Sequence, residues 1–154
     1  MTDIHTLRRI LTAYKRVAIV GLSKDSSRPS NNVAVYLLER GFEIIPVNPN
    51  YDEILGHECY PDLTAIPTPI DIVDLFRRVE HVPPLVDDAI SIGAKVVWMQ
   101  LGIAHDQAAQ KARDAGLEVV MDRCIKIEYN RLFGDLKTVG ANTGPISARR
   151  STES

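Results

Sequence analysis

The sequence predicts an α/β fold, a doubly wound parallel sheet of about five strands with helices on both faces. Three observations predict it. Short unbroken apolar runs such as Val17 to Val20 suit strands buried on both faces. Longer segments of helical periodicity lie between them. Three of these segments end on a glycine, Gly41, Gly93 and Gly116, and an apolar run follows each at once. Strands alternating with helices imply a parallel sheet joined by right-handed crossovers.

Asp3 to Tyr14 reads as an amphipathic helix, with Ile4, Leu7, Ile10 and Leu11 on one face. Val17 to Val20 is the first strand. A helix opening at Pro29-Ser30-Asn31 carries Val33, Tyr36, Leu37 and Leu38 and stops at Gly41. Phe42 to Val47 is the second strand. The proline-rich stretch from Asn48 to Pro69 reads as loop, with room for a short hairpin or a helical turn such as Asp62 to Ala65. Ile70 to Phe76 is the third strand. Pro83 and Pro84 suit the first turn of a helix that ends near Ile92. Ala94 to Met99 is the fourth strand, the alanine-rich Ala104 to Ala115 a helix, and Leu117 to Met121 the fifth strand.

The 154 residues suit a single domain over residues 1–135, followed by a polar tail, 136–154, expected to be poorly ordered. Apolar content of 45% and charged content of 25% are those of an ordinary globular chain. A net charge of −2 gives no reason to expect a nucleic-acid partner. Cys59 and Cys124 form no disulfide framework and read as reduced thiols. No signal-peptide core and no membrane-length apolar run is visible, so a cytoplasmic protein without a membrane partner is expected.

In such a sheet a ligand sits at the carboxyl ends of the strands, where the strand order reverses. Those ends are Gly21-Leu22-Ser23, Val47-Asn48-Pro49, Phe76-Arg77-Arg78, Gln100-Leu101-Gly102 and Arg123-Cys124. They make a cationic, polar rim on which Asp122 is the carboxylate, and this suits an anionic ligand. The segment RVAIVGLSKDSSRPSNN, residues 16–32, is its most informative part. Gly21 either lets a phosphate approach the backbone or makes a tight turn. Ser23 offers a hydroxyl and an N–H. Lys24 is a cation, and Arg28 presents a planar fork to a phosphate. Ser30 reads as the cap of the helix.

An ordinary NAD site needs G-x-G-x-x-G and an acidic residue at the end of the second strand. Here the loop has one glycine and the strand ends in Asn48-Pro49. A ligand with a phosphorylated ribose, or one held in a different pose, fits better.

Four stretches together resemble the small stand-alone CoA-binding domain proteins. They are VAIVGLSKDSSRPSNNVAVYLLERGFEIIPVNPN, DIVDLFR, GAKVVWMQLGI and GLEVVMDRCIKIEY. Such proteins are similar to the domain that begins the α subunit of succinyl-CoA synthetase. The resemblance runs over about residues 5 to 133. It implies a Rossmann-like fold that holds the phosphoadenosine end of coenzyme A, or of an acyl-CoA, on the strand-end rim. By position it assigns Gly21, Ser23, Arg28 and Ser30 to the phosphate loop. Val47, Asn48 and Pro49 would line the adenine side. Phe76 and Arg77 would form a wall, and Gln100 and Gly102 would border the pantetheine path. The synthetases also use a second domain with a phosphorylated histidine and a partner subunit, for which this chain has no room.

No catalytic residue stands out. His5, His57, His81 and His105 belong to no motif, though His81 follows the third strand on the rim. Trp98 reads as core, and no metal-ligand spacing is present. Cys124 reads either as a small buried residue or as a thiolate favoured by Arg123 and a helix start. Three functions remain open. The first is non-catalytic binding of coenzyme A or a short acyl-CoA. The second is an enzyme, either a thiol-based redox or acyl-transfer activity through Cys124 or a nicotinamide-nucleotide oxidoreductase. The third is an interaction subunit of a larger CoA-dependent complex, with a protein partner unknown.

Overall fold

The apolar runs become the strands of one parallel sheet in the computed structural model, which describes residues 2–134. The expected polar tail lies outside the described residues.

Helix α1, Ile4–Ala13, is capped by Asp3, whose carboxylate accepts from the Thr6 N–H. It buries Leu7, Ile10 and Leu11, each such burial stabilising the fold by about 1.5–3 kcal/mol. Strand β1 is Arg16–Val20, α2 is Pro29–Glu39 and β2 is Glu43–Val47. The proline-rich stretch contains both features expected of it. Strands β3, Glu53–Ile54, and β4, His57–Glu58, form a hairpin, and Leu63–Ala65 form a 3₁₀ turn capped by Asp62. Strand β5 is Ile72–Leu75, followed by a 3₁₀ turn at Val79–His81 and by α3, Val82–Ser91. Then come β6, Val96–Met99, α4, Asp106–Asp114, β7, Glu118–Val120, and α5, Ile125–Tyr129, which runs into a π turn at Asn130–Gly134.

Strand β5 begins later than its apolar run suggests. The Asp71 carboxylate accepts from the backbone N–H groups of Lys15 and Arg16, and so pins the entry to β1. His105 likewise has a structural role: it caps α4, its Nδ1 accepting from the Ala108 N–H.

The strand order is β2-β1-β5-β6-β7, all parallel. Alternate side chains feed two apolar layers. Val17, Ile19, Ile72, Val96 and Trp98 meet α1, α2 and α5 on one face. Ala18, Val20, Val73, Leu75, Val97 and Met99 meet α3 and α4 on the other. The sheet is therefore doubly wound and Rossmann-like, and Trp98 is fully buried core. The chain leaves β1 through α2 toward β2 on one side, while β5 pairs on the other side of β1. The order thus reverses at β1, and a crevice opens between the carboxyl ends of β1 and β5. Among the described residues no helix is long and apolar enough to cross a membrane, and no acidic, histidine and cysteine side chains cluster to hold a metal ion.

Candidate functional site

Three loops meet over the crevice. Gly21 ends β1 with φ of +88°, a conformation that L side chains rarely adopt. Its N–H donates to the Val47 carbonyl at 2.9 Å, which joins the first two strand ends. A Cβ at this position would stand 2.4 Å from the Phe76 carbonyl oxygen and 2.9 Å from Arg77 Cδ. The close approach that demands a glycine is therefore made by the chain's own β5 loop.

Beyond Gly21 the backbone is held from within. The Ser23 N–H donates to Ser30 Oγ at 3.0 Å, and Asn31 Nδ2 donates to the Ser23 carbonyl at 2.9 Å. The Leu22 carbonyl accepts from Asn48 Nδ2 at 3.0 Å, tying this loop to the end of β2. Ser30 is not the cap expected of it. Arg28 is the N-cap residue and Pro29 occupies the first turn. Proline has no N–H to satisfy and its φ suits a helix start, so the helix begins two residues earlier than a Ser30 cap implies. Ser30, buried one position inside, turns its hydroxyl to the loop instead. The amino end of the eleven-residue α2 thus points at the rim, as at anion sites in α/β folds.

The cations are close by. Lys24 and Arg28 are exposed, and Lys24 Nζ lies 5.7 Å from the centre of the Tyr51 ring. Arg77 is half-buried against Gly21, while Arg78 is exposed and faces Glu80 at 3.8 Å. The loop also holds a carboxylate that the sequence reading omitted. Asp25 accepts from the N–H and hydroxyl of Ser27, and these bonds, the backbone one first, hold its carboxyl below the ordinary value. Val47 contributes only backbone, since its side chain is buried in the layer beneath α3. Pro49 is exposed beside Asn48.

Gln100 and Gly102 stand one strand further along. Gln100 is buried and its Oε1 accepts from the Ile125 N–H; the Gly102 N–H donates to Asp122 Oδ1 at 2.7 Å. Both therefore support the loop leading into α5. Sequence reasoning missed Asn31 and Tyr51. A second polar side chain behind Pro29-Ser30 was the available signal for Asn31. Nothing local marked Tyr51.

A separate cleft of about 1060 Å³ lies along the outer edge of β7, lined by Arg113, Arg123, Cys124, Glu128 and Arg131 among others. Two of its cations are engaged: Arg123 and Arg131 both face the buried Glu128, at 3.5 and 3.1 Å. Cys124 is 5% exposed and packs in the layer under α1 and α2. We place the candidate site at the β1/β5 crevice, where the amino end of α2, without a side-chain cap bond, meets three strand-end loops, rather than in this cleft.

Fold and rim together define a doubly wound α/β protein with a candidate ligand site at its topological switch point. The family model described as CoA binding domain matches residues 15–130, and the chain belongs to that family. It is 41% identical over 123 residues to the uncharacterised protein YneT of Bacillus subtilis, across 80% of this chain and 91% of that protein. It is 35% identical to an ADP-forming acetate–CoA ligase, form II, of Archaeoglobus fulgidus, over 80% of this chain but 19% of the ligase. A solved structure of a hypothetical protein from Pyrococcus horikoshii is similar at a TM-score of 0.84, with 44% identity and coverage of 86% and 94% of the two chains.

Proposed function

We propose that this chain binds coenzyme A or a short acyl-CoA at the β1/β5 crevice, without catalysing a reaction itself. The observation that carries this reading is the amino end of α2 presented beside Gly21 and Ser23, with Lys24, Arg28 and Arg77 around it, in a chain of the CoA binding domain family. A helix amino end and guanidinium forks are a donor set suited to phosphates. Asn48 lies where a nicotinamide enzyme has an acidic residue, and its amide is already bonded to Leu22. That argues against an ordinary NAD site. Burial of Cys124 on the β7 side argues against a thiol mechanism at this crevice. In this reading Lys24 and Arg28 hold the charged end, and Val47, Asn48 and Pro49 flank the base. Phe76 and Arg77 close the far wall, and Gln100 and Gly102 border the tail.

Calorimetric titration with coenzyme A and, separately, NAD tests the reading. Heat of binding with coenzyme A and none with NAD is the expected result. No heat at about millimolar coenzyme A overturns it. Arg28→Ala should weaken binding by about tenfold, the worth of one charge-assisted hydrogen bond, with a smaller loss at high salt. A second reading, an interaction subunit that presents bound CoA to a partner, draws on the match to 19% of a CoA ligase. Recovery of a stoichiometric partner in a pull-down would favour it.

A further inference from the structure

One buried polar group has no part in the site just described. Asp74 lies in the central strand β5, in register with Ile19 of β1 and Trp98 of β6. It is 0% exposed, and neither carboxyl oxygen has a hydrogen-bond partner among the described residues. By alternation from Ile72 it faces the layer under α1, α2 and α5, as Ile19 and Trp98 do. Two residues further on is Phe76, whose carbonyl presses on Gly21; two residues beyond Ile19 is Gly21 itself. The unpartnered carboxyl therefore sits where the two strands that open the crevice are about to part.

We infer that Asp74 is a proton-operated switch for the crevice: protonated, it lets the ends of β1 and β5 close against each other, and ionised, it loosens them and weakens ligand binding. The inference rests on the reading of the crevice as the ligand site. A neutral carboxyl tolerates an apolar layer far better than a carboxylate does. Burial alone pushes Asp74 well above its ordinary value of 3.8, with no neighbouring charge contributing. The titratable members of that layer are Tyr14, Tyr36 and Tyr51, Tyr129, Cys59 and Cys124. Buried Glu128 faces Arg123 and Arg131. Lys15 over the Phe42 ring, Lys24 over Tyr51, Arg8 over Phe133, and Arg40 and Lys126 over Tyr36 stand at the layer's edge, and none of them makes a hydrogen bond to Asp74. None supplies a cation to hold an ionised Asp74. When the proton leaves, relief comes from water, and the nearest strand ends are those at the crevice.

Trp98, the chain's one tryptophan, is Asp74's neighbour on β6 and so reports on it. The experiment follows Trp98 fluorescence across the neutral and alkaline range in the wild type, Asp74→Asn and Asp74→Val, with coenzyme A affinity measured over the same range. The valine variant serves should the asparagine variant fail to fold. The expected result is a fluorescence transition in the wild type that is missing from the variants. Across that transition the wild-type dissociation constant should rise by up to about tenfold per pH unit, and the variants should lack this rise. A wild type with no transition, or variants that share its fluorescence or affinity profile, overturn the inference. Absence of coenzyme A binding at every pH in all three proteins would overturn the ligand assignment and with it the switch's effect on binding. The fluorescence comparison would still decide whether Asp74 carries the proton.

Discussion

Gly21 shows how one residue can look like a ligand contact and serve the fold first. Its left-handed backbone and the Phe76 carbonyl leave no space for a methyl group. Gly21→Ala should destabilise the protein by about 1–3 kcal/mol, measured by urea unfolding, and should also weaken coenzyme A binding because it parts the walls of the crevice. Asp74 makes a different prediction. Its folded-state value is raised, so above about pH 3.8 the unfolded chain loses a proton that the folded chain keeps. Stability then falls as pH rises from there toward the raised value and levels off beyond it. Denaturation midpoints against pH should show this slope in the wild type and lose it in Asp74→Asn. Neither residue's role was legible locally. A glycine after a strand fits both a phosphate and a turn, and one aspartate in an apolar run does not reveal whether a partner waits across the sheet.

Helix α2 is the element on which the site depends. Pro29 sets its start and Arg28 its cap, while the buried Ser30 and Asn31 reach back to Ser23. The helix thereby holds the loop that lines the crevice. Ser30→Ala leaves the Ser23 N–H without its acceptor and should cost about 1–3 kcal/mol, read by thermal or urea unfolding, together with a loss of ligand affinity. The amphipathic period and the closing glycine made the helix legible in the sequence. Its cap was misread because Ser is the stronger capping residue on average, whereas Pro29 at the first turn decided the matter here.

For the whole molecule, the strand order β2-β1-β5-β6-β7 places the crevice. Loops from β1, β2 and β5 meet there, and those from β6 and β7 meet at the α5 end. A ligand bound at the crevice spans the contact between the β1–β2 pair and the rest of the sheet, so it should stabilise the folded chain globally. At about a hundred times its dissociation constant, coenzyme A should add about 2.7 kcal/mol, seen as a concentration-dependent rise in Tm. NAD should leave Tm unchanged.

By itself the sequence determined the element types, the two-faced burial of the strands, the glycine stops, and the rim on which candidate residues must fall. These are matters of period, volume and backbone conformation, all local. The tertiary structure decided which candidates share a site. It brought Gly21, Ser23, Ser30, Asn48, Phe76 and Arg77 together and set Gln100 and Gly102 to bracing the next loop. It also placed Asp74 between Ile19 and Trp98 with no hydrogen-bond partner among the described residues. These outcomes depend on which strands lie side by side, and strand order is set by packing across the whole sheet rather than by any one segment.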